Sequence, residues 1–370
     1  MLKFYEAVAI LIGITIGAGI LGIPYIIAKS GFFIGILDII IIGLAILILN
    51  LYVGEIALRT NGRHQLTCYA ERYLGKYGKW FITFSMAFGI YGALAAYILG
   101  VGSAIQAIFG GSQIIYSLLF FIAVSYLIYA GLNLVKRYEL LFGICMLAII
   151  LIISFVTLFN ININNFTGFD LSNVLIPYGV IFFAFIGTAA VPEMRAVLVK
   201  NKYLLKRAII VGSFIPFIIY LIFTISVVGV VGKNATEIAT ISLGQVLGKY
   251  MVLFGNLFAI LSMITSFLAL GLAFKWVCQY DYCTGKNKAF LLTCLIPLII
   301  ALSGFAGFIK IIGFSGAIAG GIEGILIIVM HTKAKKLGDR KPEYEIKGGW
   351  VLNFALIALF VVGIVHTLIY

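Results

Sequence analysis

Two of the chain's membrane-length apolar stretches are interrupted in mid-span, and they open two halves of similar size. The first interruption reads Thr15-Ile16-Gly17-Ala18-Gly19-Ile20-Leu21-Gly22-Ile23-Pro24, and the second reads Ala184-Phe185-Ile186-Gly187-Thr188-Ala189-Ala190-Val191-Pro192-Glu193. Glycine brings excess backbone freedom and proline lacks an N–H donor, so both weaken a helix where they fall. In hydrocarbon a freed backbone group is costly unless it faces protein or a water-filled cavity. Paired breaks at corresponding positions of two halves therefore point to a transporter, and to the place in it where the solute binds.

The chain has 370 residues, 63% apolar and 11% charged, with a mean hydropathy of +1.17. A soluble domain is nearer half apolar and a quarter charged, so an all-α polytopic membrane protein is expected, with the lipid bilayer as its surroundings. Eleven spans are legible, at about 5–29, 31–57, 80–109, 113–132, 136–159, 172–198, 205–231, 249–275, 287–305, 308–332 and 349–370. Spans one to five and six to ten form two five-helix halves. An odd number of spans per half forces the halves into opposite orientation, which is the inverted-repeat arrangement. The expected transport core is 1–332, with repeats over about 5–159 and 172–332, and 349–370 adds an eleventh helix.

Of the 26 Lys and Arg residues, all but Lys29, Lys233, Lys249 and Lys310 fall on the side of the N-terminus when the spans alternate. That asymmetry supports the span count, and it places the N-terminus in the cytoplasm and the C-terminus outside the cell membrane. It also accounts for the net charge of +13 without nucleic acid. Lys3 is followed by a long apolar segment with no small-residue cleavage site, so the first span is expected to remain. The five cysteines form no disulfide framework and show no zinc spacing.

Read as two half-helices, span one loses intrahelical partners for its carbonyls around Ile14, Thr15 and Ile16. It restarts around Gly19, Ile20 and Leu21 with free N–H groups. A helix C-terminus attracts a cation and a helix N-terminus an anion. Gly17, Ala18 and Gly19 allow a ligand close to the backbone. Span six adds carbonyls from Phe182, Ala184 and Phe185, with Gly187 and Thr188 at its break. Donors for a carboxylate and carbonyls for an ammonium make a zwitterionic site with no charged side chain, which suits an amino acid. The competing reading is that the glycines only let helices pack closely.

The run Gly17-Ala18-Gly19-Ile20-Leu21-Gly22-Ile23-Pro24 resembles the first span of the amino acid/auxin permease family and its bacterial hydroxy- and aromatic-amino-acid permease relatives. These belong to the amino acid–polyamine–organocation superfamily. The resemblance extends to the eleven spans and the basic inner loop after span two, and more loosely to span six. It implies the LeuT-type 5+5 inverted repeat with discontinuous helices 1 and 6. It also implies secondary active symport of amino acids coupled to Na⁺ or H⁺.

In span eight, Ser262, Thr265 and Ser266 stand at i, i+3 and i+4 on one helix face. With a carbonyl near Gly17 they are similar to the sodium site between spans one and eight of sodium-coupled superfamily members. Some proton-coupled relatives carry a lysine in the middle of span five; this chain has none, which favours sodium slightly. Acidic residues inside spans are functional candidates in their own right. Glu323, the deepest, and Glu193, just past the second break, are the candidates for carrying a coupling proton. Tyr91, Tyr97, Gly92 and Ser103 of span three, Phe183 of span six and Asn256 of span eight complete the expected pocket wall.

The expected function is thus an ion-coupled, alternating-access carrier of a neutral amino acid, aromatic and hydroxy side chains included. The alternative is a carrier of the same fold for an organic cation, a nucleobase or a metal ion. An enzyme is not expected, because three scattered histidines and no paired acids at one depth leave nothing to do chemistry. Channels also use half-helices, but inverted halves with a helix-end site favour a carrier. No phosphate-binding loop is present to use ATP, and no organic cofactor is implied. Monomer and oligomer stay equally open.

Overall fold

The computed structural model describes residues 2–62, 64–130, 148–169, 171–304 and 306–369. It is all helical among those residues. Span one is two helices, α1 (Leu2–Thr15) and α2 (Ile23–Ser30), joined through a 3₁₀ turn at Ala18–Leu21 and bent by 49°. There follow α3 (Phe32–Arg59), α4 (Leu66–Phe109), α5 (Gln113–Ala130) and α6 (Ala148–Leu158). Span six is again two pieces, α7 (Tyr178–Phe185) and α8 (Ala190–Val197). Then come α9 (Leu205–Val231), the short α10 (Ala239–Leu247), α11 (Lys249–Trp276) and α12 (Lys286–Leu302). Span ten is α13 (Phe308–Ser315), a π turn at Gly316–Gly320 and α14 (Gly321–Leu337), and α15 (Trp350–Ile369) ends the chain.

Among the described residues eight helices are long and apolar enough to cross a membrane, nine with the bent first pair. The protein is multi-pass. The other two expected spans correspond to α12 and to α6. The first half of span five, with Lys136 and Arg137, lies outside the described residues, as does Arg63.

α4 runs through the bundle and packs along α5, α11, α12, α13 and α14, while α9 packs on α1, α2 and α3. Small residues set these distances. A Cβ on Gly179 would fall 2.1 Å from the Gly313 carbonyl oxygen, and one on Gly320 would fall 2.2 Å from the Phe182 ring. Without hydrophobic drive between helices in lipid, such close backbone approach is a main source of packing energy. α15 packs chiefly against α14.

The end of the bundle expected to be cytoplasmic is held by charges. Arg59 pairs with Glu55 at 2.9 Å and with Glu345 at 2.8 Å, and Glu55 also meets His331 at 2.9 Å. His331 is buried and stacked on Tyr52 at 3.8 Å. Arg72 pairs with Asp339. Within the loop 58–79 a short helix begins at Leu66 and is set off from the rest of α4 by non-helical backbone at Gly75, with φ 78° and ψ −169°. Leu66, Tyr69, Ala70 and Tyr73 are buried against protein, and the hydroxyls of Tyr73 and Thr60 lie 2.7 Å apart.

Candidate functional site

The first break begins where α1 stops. The amide of Ile16 still bonds the carbonyl of Ile12 at 2.7 Å, but the amide of Gly17 turns back on Thr15 at 3.0 Å. Gly17 is extended, with φ −118° and ψ −156°. The chain then winds one 3₁₀ turn and restarts as α2 with Pro24 in its first turn, where a missing N–H costs nothing. The second break is shorter. Ile186 is extended at φ −60° and ψ 120°, its amide bonding Phe182 at 3.1 Å. The amides of Ala190 and Val191 then bond Gly187 and Thr188 at 2.9 and 3.3 Å to start α8.

The two breaks meet. A Cβ on Gly187 would lie 2.7 Å from the Thr15 hydroxyl, and one on Gly19 would lie 2.8 Å from the Ala184 Cα. Between them stands a residue that sequence reasoning missed. The hydroxyl of Tyr220, from α9, donates to the Thr15 carbonyl at 2.7 Å and to the Ala184 carbonyl at 2.9 Å. Tyr220 is fully buried, with its ring edge-on to Phe185 at 4.8 Å. Its one sequence signal is a lone phenol in the middle of an apolar span.

α11 closes the other side of the first break. A Cβ on Gly17 would fall 3.0 Å from the Ser266 hydroxyl and 4.0 Å from that of Tyr97. Tyr97 is buried on α4, its hydroxyl facing the same Gly17 position. Of the three hydroxyls expected as one sodium shell, that of Ser266 faces Gly17. Thr265 bonds back to its own helix at Leu261 and Ser262, at 3.0 and 2.9 Å. Ser262 is buried with no hydrogen-bond partner for its oxygen.

The second break has a different companion. The Thr188 hydroxyl donates to the carboxylate of Glu323, buried on α14 just past the π turn. Sequence flagged both residues, but as separate candidates. Glu193 lies in the first turn of α8 and also has an interaction partner. Arg195, two residues on, donates to the carbonyls of Thr60 and Gly62 and so ties α8 to the loop after α3.

The remaining wall residues divide. Phe183 stands 3.3 Å from a Cβ on Gly19 and Phe185 backs Tyr220, whereas the Phe182 ring faces α15 at Phe360, 5.5 Å away. Ile14 turns its side chain to the surface, with 39% exposed, while Thr15, Ile16, Ala18, Gly19 and Ile20 are buried. Gly92 packs on Ser315, and the Tyr91 ring meets Phe274 edge-on at 5.1 Å. Asn256 accepts from Thr240 at 3.0 Å, which fixes α10 on α11.

At the end expected to face outside, a cavity of 710 Å³ opens, lined in part by Leu99, Ser103, Gln113, Glu237, Gln245 and Phe308. Among the described residues no three His, Cys, Asp or Glu side chains stand together to hold a metal.

The arrangement has solved counterparts. The structure of MhsT in complex with L-phenylalanine superposes with a TM-score of 0.67, covering 100% of this chain and 97% of that one at 12% identity. The inward-facing conformation of Mhp1 gives 0.64, covering 99% and 88% at 18% identity. The fold is therefore LeuT-type, with discontinuous helices 1 and 6. By sequence, the chain is 28% identical to tyrosine-specific transport system 1 of Haemophilus influenzae, covering 99% of this chain and 96% of that protein. It is 26% identical to glutamine transporter 2 of Aliivibrio fischeri, covering 93% and 91%. These proteins are transporters and not enzymes, and with residues 2–370 matching its family pattern, this chain belongs to the tryptophan/tyrosine permease family.

Proposed function

We propose that this permease carries a neutral amino acid, with aromatic substrates such as tyrosine first in order, by alternating access coupled to protons. The observation that carries the reading is the meeting of both helix breaks around one buried hydroxyl. A freed backbone group at mid-membrane is tolerated only where it faces protein or a water-filled cavity, and broken helices at corresponding positions of two halves mark the solute site. The substrate site is assigned to the backbone of Thr15 to Ile20 together with Ala184, Phe185, Gly187 and Thr188. Ile14 contributes its carbonyl alone, and Phe182 falls outside because its carbonyl already accepts the Ile186 amide at 3.1 Å. The restart at Ala18–Leu21 offers amides to the carboxylate, and the ends of α1 and α7 offer carbonyls to the ammonium. Tyrosine and glutamine in the relatives' names share this zwitterion and differ in the side chain.

Glu323 is the proposed proton carrier, since it touches the second break through Thr188. A sodium reading keeps one observation in its favour, the unpartnered Ser262 one turn from Ser266. Residues 1–332 form the proposed transport core, in repeats of about 5–159 and 172–332, and the N-terminus faces the cytoplasm.

The test is uptake by purified protein in liposomes of tyrosine, phenylalanine, tryptophan, glutamine and serine, with inward H⁺ and Na⁺ gradients imposed separately. Accumulation of tyrosine under the H⁺ gradient is the expected result. Accumulation under Na⁺ alone transfers the coupling role to Ser262 and Ser266. No uptake of any of the five by folded protein overturns the amino-acid reading in favour of another small solute.

A further inference from the structure

We propose that the Tyr220 hydroxyl is a tethered donor standing where a cation would otherwise be required between the two breaks, so that substrate binding needs no ion at that point. The inference rests on the breaks being the substrate site. α1 and α7 both run toward mid-span and both end there, at Thr15 and Phe185. Each helix end carries partial negative charge on its free carbonyls. Two such ends converging in hydrocarbon repel each other unless something positive stands between them. A metal cation, the substrate's ammonium or a hydroxyl proton can each do this. Here the Tyr220 proton does, with its oxygen 2.7 Å from one carbonyl and 2.9 Å from the other.

The donor is fixed in place. Tyr220 has no exposed surface, its ring stands edge-on to Phe185, and α9 packs along α1. A phenol held this way is present in every state in which these contacts persist, whereas an ion must be captured in each cycle. One hydroxyl has a single proton for two acceptors. The carbonyls keep lone-pair capacity, which the substrate ammonium takes up without displacing the phenol. Tyr220 is thus a positioning residue: it holds the carbonyls of Thr15 and Ala184 at the spacing the ammonium meets, and it makes the first break neutral to the ionic medium.

The experiment compares wild type, Y220F, and proteins carrying 4-aminophenylalanine or 4-fluorophenylalanine at 220, with Na⁺ exchanged for N-methylglucamine at constant ionic strength. Removing the donor leaves two buried acceptors short, so Y220F is expected to raise the tyrosine KM about tenfold in Na⁺-free medium. Na⁺ should bring that KM back toward the wild-type value. Without substrate, Na⁺ should raise the melting temperature of Y220F by more than that of wild type. The aniline N–H donors should restore the KM in Na⁺-free medium, and the fluoro variant should behave as Y220F. A wild-type KM for Y220F in Na⁺-free medium overturns the proposal. So does a defect that neither Na⁺ nor the aniline relieves, because the ring is then only packing. If Y220F does not fold, the amino and fluoro proteins decide the matter, and equal KM values for the two overturn it. If wild type transports no amino acid, the functional reading fails first, and the Na⁺-dependent melting of Y220F still judges the donor.

Discussion

At the first break the groups that approach the backbone are neutral hydroxyls, from Ser266, Tyr97 and Tyr220, the last of which also bonds the second break at Ala184. At the second a carboxylate approaches, from Glu323 through Thr188. Hydroxyls hold one protonation state, so the first break presents the same donors throughout a cycle. A buried carboxylate can change its charge and with it the donor and acceptor pattern at Thr188. The difference suggests a division of labour, with one break built to hold the substrate and the other to register a proton. Each prediction below breaks or sharpens that division.

The largest effect is expected from Gly19→Leu. From sequence this substitution reads as one that abolishes binding in a folded protein. The structure alters the expectation, since a Cβ there would lie 2.8 Å from the Cα of Ala184, which is backbone and cannot rotate away. The leucine must push α7 off the first break, so loss of monodisperse protein on size exclusion is expected. Overpacking typically costs about 1–3 kcal/mol, and more where backbone must move. A folded G19L that merely fails to bind would return Gly19 to the ligand.

Next is Glu323→Gln. The amide keeps the size and a hydrogen bond to Thr188 but cannot release a proton. Counterflow exchange of tyrosine should survive, while accumulation driven by an H⁺ gradient should fall to the level without a gradient. Thr188→Val is expected to weaken both only several-fold, about 1 kcal/mol for one hydrogen bond. Accumulation by E323Q equal to wild type would remove the proton role from the second break.

A smaller contrast separates the two glycines of the first break. Gly17→Ala places its Cβ 3.0 Å from the Ser266 hydroxyl, the end of a side chain that can turn. Gly19→Ala meets backbone. The expected order of melting temperatures is wild type, then G17A, then G19A, and S266A should relieve most of the G17A defect. Equal loss in both would mean that Ser266 is as immobile as Ala184.

Much of this frame was legible beforehand, for identifiable reasons. Span positions follow from runs of apolar residues, and the breaks follow from Gly17, Gly19 and Pro24 in one and Gly187 and Pro192 in the other. These are local signals. Tyr220 was not legible, because its role depends on α9 passing between two elements 36 and 205 residues away. The Thr188–Glu323 contact spans 135 residues, and His331 finds Glu55 across 276. Phe182 and Gly19 were legible as residue types but not as facings. The direction of one aromatic ring, or of one missing Cβ, is set by the neighbour it meets.

The smallest effect tests whether Ser262 belongs to a site at all. Its hydroxyl is buried and unpartnered on the face of α11 that carries Ser266. If protons alone couple transport, that oxygen serves nothing in the cycle. Ser262→Ala then removes a buried polar group whose desolvation is uncompensated, and the protein should melt at or above wild type, by up to about 1 kcal/mol. Uptake should be unchanged under either gradient. If Ser262 instead completes a sodium shell with Ser266, the same variant loses Na⁺-dependent accumulation while its stability in Na⁺-free medium still rises. Stability and uptake moving in opposite directions would identify a hydroxyl kept for an ion, and would shift the coupling role from the second break to the first.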